Sequence, residues 1–142
     1  MDAEAQRAVV AAARVGHLAT VTPDGGPHVV PCCFALEEGR IWTAVDHKPK
    51  RSLRLQRLAN VRANPRASLL VDHYEEDWTR LWWVRVDGTA EVLEGGSERD
   101  WALAALAAKY AQYRDAPPEG PVIALAAERW RAWTAREPSL GS

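Results

Sequence analysis

Cysteine is nearly absent from this 142-residue chain: there are two, Cys32 and Cys33, and they are adjacent. Neighbours on an extended backbone point to opposite faces, so the two are poorly placed to bond to each other. A disulfide-stapled scaffold is excluded, and a reduced, cytoplasmic protein is the economical expectation. Long apolar runs are absent too. The best stretch, Val122 to Ala127, has a strand's length against the ~18 residues a membrane helix needs. The opening Met1-Asp2-Ala3-Glu4 shows no basic region leading into an apolar one, so no secretory signal is expected. No P-loop, GxGxxG or GxSxG pattern occurs, which removes the common nucleotide-triphosphate, dinucleotide and hydrolase signatures. His17, His28, His47 and His73 are scattered, without HExxH or close Cys/His spacing, so no metal site is expected.

What is present suits one globular domain over residues 1–142. At 47% hydrophobic and 26% charged, the chain can bury a core unaided. The net charge of −1 hides an asymmetry: seven of the 18 Lys and Arg residues lie between Lys48 and Arg66, with no Asp or Glu among them. Such a stretch in a neutral protein is a candidate contact for an anionic partner. The acidic loop Glu75 to Asp77 and a pI near 6.4 do not supply the broad basic face that nucleic-acid binding needs.

Residues 3–15 are dense in helix formers, with Asp2 as N-cap and Gly16 at the position after the C-cap. Residues 17–22 form a short β-prone run, and Pro23-Asp24-Gly25-Gly26 is turn chemistry. A second β run covers 28–36 and a third 41–46, which predicts an antiparallel meander. Ser52 is a candidate N-cap for a helix reaching Ala63, stopped by Asn64-Pro65. Residues 67–74 and 81–93 read as strands, with a bulge or bend at Asp87-Gly88. Ser97 to Asp100 resembles a capping box opening a helix to Tyr113, and 122–134 is a last strand. The sum is an α+β protein: a β-barrel of about six mostly antiparallel strands with peripheral helices.

The most informative segment runs from Ile41 through Asp46-His47-Lys48-Pro49-Lys50-Arg51 into a helix. A helix start carries unpaired N–H groups and partial positive charge. Lys48, Lys50 and Arg51 would add charge and directional donors for a phosphate, and Arg54 and Arg57 extend the positive field. A solvated basic helix that only aids solubility is the competing reading.

Taken in order, the first helix, His17 to Pro31, the Lys48-Pro49-Lys50-Arg51 run, the second helix and Asn64 to Asp72 resemble the pyridoxamine-phosphate-oxidase-like split-barrel proteins. More narrowly, they are similar to the actinobacterial branch that uses the deazaflavin coenzyme F420. The resemblance covers roughly residues 5–134. It implies a homodimeric split β-barrel with two cofactor sites between subunits, holding either flavin mononucleotide or the deazaflavin. Carried over by residue, the phosphate motif falls on Lys48 and Lys50, with Arg51 beside them. Pro31, Cys32 and Cys33 on the second strand, and Thr43 and Val45 on the third, would line the ring. The Arg-x-Val-Leu-Leu-Lys signature of the vitamin B6 oxidases is missing. Val29 to Phe34 stands in its place, which argues against that activity and weakens the case for flavin mononucleotide.

The resemblance implies an F420-dependent oxidoreductase acting on a small unsaturated molecule. The alternatives are a flavin-mononucleotide enzyme on the same barrel and a non-catalytic cofactor- or tetrapyrrole-binding protein. The deazaflavin carries a phosphodiester and an oligoglutamate tail, so seven cations in 19 residues suit it well. Hydride transfer is the cofactor's own chemistry, and no catalytic side chain is assigned; His47 and His73 are candidate proton donors only. Trp82 and Trp83 should face opposite sides of their strand, one into the barrel and one toward a partner or pocket. Trp78, on its loop, is a candidate pocket residue; Trp42, Trp101, Trp130 and Trp133 are expected to be packing residues.

Overall fold

A computed structural model describes residues 1–45 and 51–136, with backbone alone for 51–55. The elements in chain order are α1 (Ala3–Ala12), β1 (Gly16–Val21), β2 (Pro27–Cys32), β3 (Ala35–Glu37), β4 (Arg40–Ala44), α2 (Arg51–Ala63) and β5 (Arg66–His73). After a 3-10 turn (Trp78–Arg80) follow β6 (Trp82–Leu93), α3 (Ser97–Lys109), α4 (Ala111–Asp115) and β7 (Val122–Thr134). The strands make one curled seven-stranded sheet in the order β2-β1-β5-β6-β7-β4-β3. Every pairing is antiparallel. This is the expected α+β split barrel.

Its inside is filled by alternating residues of each strand. Leu18, Phe34, Ile41, Leu69, Val71, Val84, Val86 and Leu125 are almost fully buried, and Val10 of α1 with Leu58 and Val61 of α2 close the cluster. On the other face of β3, β4 and β7, α3 presses Ala102 and Leu106 onto Trp42, Ala44, Val122 and Ala124. Covered on both faces, β4 is buried from Ile41 to Ala44 and its partner β7 from Val122 to Leu125, while β1 and β5 alternate more openly.

The predicted bulge is present. Asp87 pairs with Arg129 but Gly88 pairs with Ala127, which leaves Glu128 as the extra residue. A Cβ on Gly88 would stand 1.9 Å from the Ala126 carbonyl oxygen, so the close approach of β6 and β7 requires glycine there.

Five expectations change. The meander does not form: the run 28–36 breaks at Cys33–Phe34 into β2 and β3, which lie at opposite ends of the sheet order, and the count becomes seven strands. α1 ends at Ala12, earlier than its helix formers suggest. Gly16 instead opens β1, where a Cβ would meet Leu69 Cδ1 at 2.8 Å. Ser52 lies within α2, which starts at Arg51. The capping box of Ser97 and Asp100 does not form: Gly96, at φ 92°, takes the N-cap position with no side-chain cap. Glu98 in the first turn accepts from Arg40 Nε and Trp42 Nε1 at 2.8 and 2.9 Å. α3 also stops at Tyr110, and α4 resumes one residue later.

Candidate functional site

The β2–β3 break is held by side chains, because its backbone groups have left the ladder. Thr43 Oγ1 donates to the Cys33 carbonyl at 2.8 Å. The Phe34 amide donates to Tyr110 Oη at 3.1 Å, and Lys109 Nζ donates to the Phe34 carbonyl at 2.9 Å. The Lys109 ammonium also stands 4.1 Å over the Phe34 ring. These contacts aim Cys33 outward while Cys32 and Phe34 stay buried.

Beside the break lies a cleft of about 230 Å³ lined by Val15, Pro31, Cys32, Cys33, Ala44, Arg57 and Tyr113. Three expected ring-lining residues, Pro31, Cys32 and Cys33, therefore meet at one place. Thr43 supports the cleft from behind through Cys33. Val45 follows Ala44, is buried, and is tied by its amide to the Pro121 carbonyl at 3.1 Å. Trp78 is not brought there within one chain: it is 76% exposed on its 3-10 turn and is not among the cleft's lining residues. Lys48 and Lys50 lie outside the described residues, as does His47, and Arg51 is described only as the first residue of α2.

From sequence alone Arg57 has only a share in a positive field, yet the fold makes it a wall of the cleft. α2 is anchored on β1 by a buried relay. Gln56 Nε2 donates to Asn60 Oδ1 at 2.7 Å, and Asn60 Nδ2 donates to Thr20 Oγ1 at 3.0 Å. Arg57, one residue from Gln56 and one turn before Asn60, is thereby fixed at the helix edge facing β2. Its Nε is buried and has no hydrogen-bond partner among the described residues. A buried guanidinium nitrogen without an acceptor is costly unless an anion or water completes it. The signal was available in the helical spacing of Arg57, Asn60 and Val61. Tyr113 carried no comparable signal, because α4 begins only after the break at Tyr110.

Burial pushes the Cys32 thiol up to about 11; the hydrogen bond with Thr43 and the charges of Arg57 and Lys109 oppose that shift without overcoming it. Cys32 is therefore a neutral wall residue and no nucleophile at ordinary pH.

The tryptophans divide as the strand geometry requires. Trp82 packs against the barrel core and stacks on His73, with ring centroids 6.4 Å apart. Trp83, on the outer face, lines a shallow recess of about 390 Å³ with Leu70, Asp72, Tyr74 and Arg85. Trp42 is buried, and Trp130 is partly buried beneath the Arg7 guanidinium. Trp101 and Trp133 are not packing residues as expected: they are 63% and 41% exposed.

Set against known families, residues 2–134 match the family model described as pyridoxamine 5'-phosphate oxidase. The chain belongs to that family. Solved structures agree on the fold. A conserved hypothetical protein, Rv2991, from Mycobacterium tuberculosis superimposes with a TM-score of 0.75 at 24% identity, covering 100% of this chain and 93% of its own. A FAD-binding protein from Mesorhizobium loti gives 0.68 at 26%, covering 93% and 94%. A heme binding protein from Mycobacterium smegmatis gives 0.68 at 24%, covering 92% of this chain and 56% of its own. No curated protein matches the chain.

Proposed function

We propose that the cleft between β2 and α2 receives the phosphate-bearing part of a flavin-type cofactor, and that the protein is an oxidoreductase using it. The observation that carries this reading is the partnerless, buried Nε of Arg57 in the wall of a cleft formed by Pro31, Cys32 and Cys33. The residues present fit an anionic group. Arg57 offers an unused donor, Lys48 and Lys50 precede the same helix in sequence, Arg51 opens it, and no acidic residue interrupts the run from 48 to 66. The ring would rest on the β2 segment Pro31–Cys33, with Thr43 and Val45 fixing the strands beneath it. A bound flavin or deazaflavin supplies hydride transfer, while this chain binds, orients and shields it from water.

Coenzyme F420 is the cofactor we favour. Even without Arg62, which is paired with Glu94 at 2.9 Å, six cations in 19 residues exceed what one phosphate monoester needs and suit a longer polyanion. Flavin mononucleotide is the second candidate, supported by the family match and by the FAD-binding relative. The proposed acceptor is a small unsaturated molecule, and the proposed setting is the cytoplasm, where both free thiols stay reduced. A second copy of the chain is the proposed cover for the outer recess, where Leu70, Tyr74 and Trp83 form an apolar patch between Asp72 and Arg85. Trp78 would reach a cofactor only across such a dimer.

Titration of the purified protein with F420, flavin mononucleotide, FAD and hemin, followed by tryptophan quenching, tests the reading. Saturable micromolar binding of F420 above the others supports it. Preference for flavin mononucleotide moves the protein to the second candidate. Tight binding of hemin without turnover makes it a tetrapyrrole-binding protein, and binding of none overturns the cofactor reading.

A further inference from the structure

A second cavity, of about 450 Å³, opens at the end of the barrel where β6 begins and β7 ends. Trp82 pairs with Thr134 there, and the ladder continues through the Ala135 amide to the Leu81 carbonyl at 2.9 Å. Met1, Ala5, Leu81 and Trp82 make its walls apolar, with Ala5 contributed by α1. A mostly apolar cavity with a few convergent polar groups at a barrel mouth is the usual form of a small-molecule site.

The charged groups at the rim decide what it would take. Asp2 is committed to the Ala5 amide at 2.8 Å, and Asp77 to the amide and hydroxyl of Thr79. Glu75 contacts both His73 and Arg80. Arg136 is different. Among the described residues its guanidinium donates only to a neutral acceptor, Thr79 Oγ1, at 3.2 Å. The Asp77 carboxylate feels the Arg136 charge, but among the described residues no carboxylate is hydrogen-bonded to that guanidinium, which keeps paired donors for a planar anion. The Trp82 ring lines the same cavity, where it can pack against an apolar body.

We propose that the barrel mouth is a binding site for a small amphipathic carboxylate, with its apolar body against Leu81 and Trp82 and its carboxylate on Arg136. The site is separate from the cofactor cleft: none of its lining residues lines that cleft.

Calorimetric titration of the full chain with 2-naphthoate and its neutral isostere 2-naphthamide tests the assignment. The acid should bind at one site at least tenfold more tightly than the amide. Arg136→Ala should reduce the acid to the level of the amide, and Ala5→Phe, which fills the cavity from α1, should abolish both. Arg57→Ala should leave naphthoate binding unchanged, which separates this site from the cofactor cleft. Equal affinity of wild type for acid and amide overturns the proposal without relying on any variant's folding. So does a failure of Arg57→Ala to bind naphthoate, or continued binding by a folded Ala5→Phe.

Discussion

The hydroxyl of Tyr110 lies 3.1 Å from both the amide nitrogen and the carbonyl oxygen of Phe34, 76 residues away in sequence. It accepts from the amide, and its one proton goes either to that carbonyl or to the carbonyl of Arg14, 2.9 Å away. One side chain thus stands in for the ladder hydrogen bonds that the β2–β3 break interrupts, and it ties the α3–α4 junction to that break and to the link between α1 and β1.

Tyr110→Phe should therefore destabilise the fold by about 1–3 kcal/mol, the cost of a buried amide without an acceptor. Urea unfolding measures it. The midpoint should fall with little change in slope, because the buried surface is nearly the same.

Lys109 gives a pH prediction. Burial, with repulsion from Arg14, pulls its ammonium down to about 8 from the ordinary 10.5, against the attraction of Cys32 and Cys33. Between those values the unfolded chain holds the proton that the folded chain has released, so stability rises with pH across that window. Cys32 and Tyr110, both raised by burial, lose stability as pH climbs past their unfolded values, which opposes the gain. The contribution of Lys109 is isolated by comparison with Lys109→Met. From about pH 8 to 10.5, wild type should gain stability relative to the variant in parallel urea melts.

Gly88→Ala should cost about 3 kcal/mol or more, because the added Cβ meets backbone rather than a movable side chain. Gly16→Ala should cost less, since Leu69 and Phe34 meet the new atom with side-chain ends. Thermal unfolding of the two variants in parallel gives the ranking, and the reverse order would contradict the bulge geometry.

Arg57→Ala should weaken cofactor binding by about 1.5–3 kcal/mol, the range of a hydrogen bond to a charged group. Stability should be unchanged or improved, since the buried Nε has no partner to lose. Lys50→Ala should weaken binding by a similar ~1.5–3 kcal/mol with the fold intact. Equal affinity in both variants would remove the anion assignment.

Strands with clean alternation or flanking turns were legible in the sequence: β1, β5, β6 with its bulge, and β7 all lie within a residue or so of their expected places. The meander was misread because Val29 to Leu36 is rich in β-prone residues, and the bonds that make a break at Cys33–Phe34 tolerable come from Thr43 and, far along the chain, from Lys109 and Tyr110. The capping box was misplaced by one residue: Gly96, not Ser97, takes the N-cap position, and the adjacent Glu98 is held by Arg40 and Trp42, on a strand 56–58 residues earlier. In the cleft, Pro31, Cys32 and Cys33 came from the family resemblance, whereas Arg57 required knowing that α2 docks through Asn60 on Thr20. Local chemistry names the elements; contacts distant in sequence decide where they end and which polar groups go without partners.

The sheet order also governs the timing of assembly. β4 bonds only to its short neighbour β3 and to β7, whose Ile123 lies opposite Thr43. During synthesis β1, β2, β5 and β6 can associate as soon as they emerge. The β3–β4 hairpin has no further edge to join until residues 122–126 have been made. The strand that supports the cleft through Cys33 is therefore among the last to lock into place, and the nascent chain carries an open, partly apolar edge until it does.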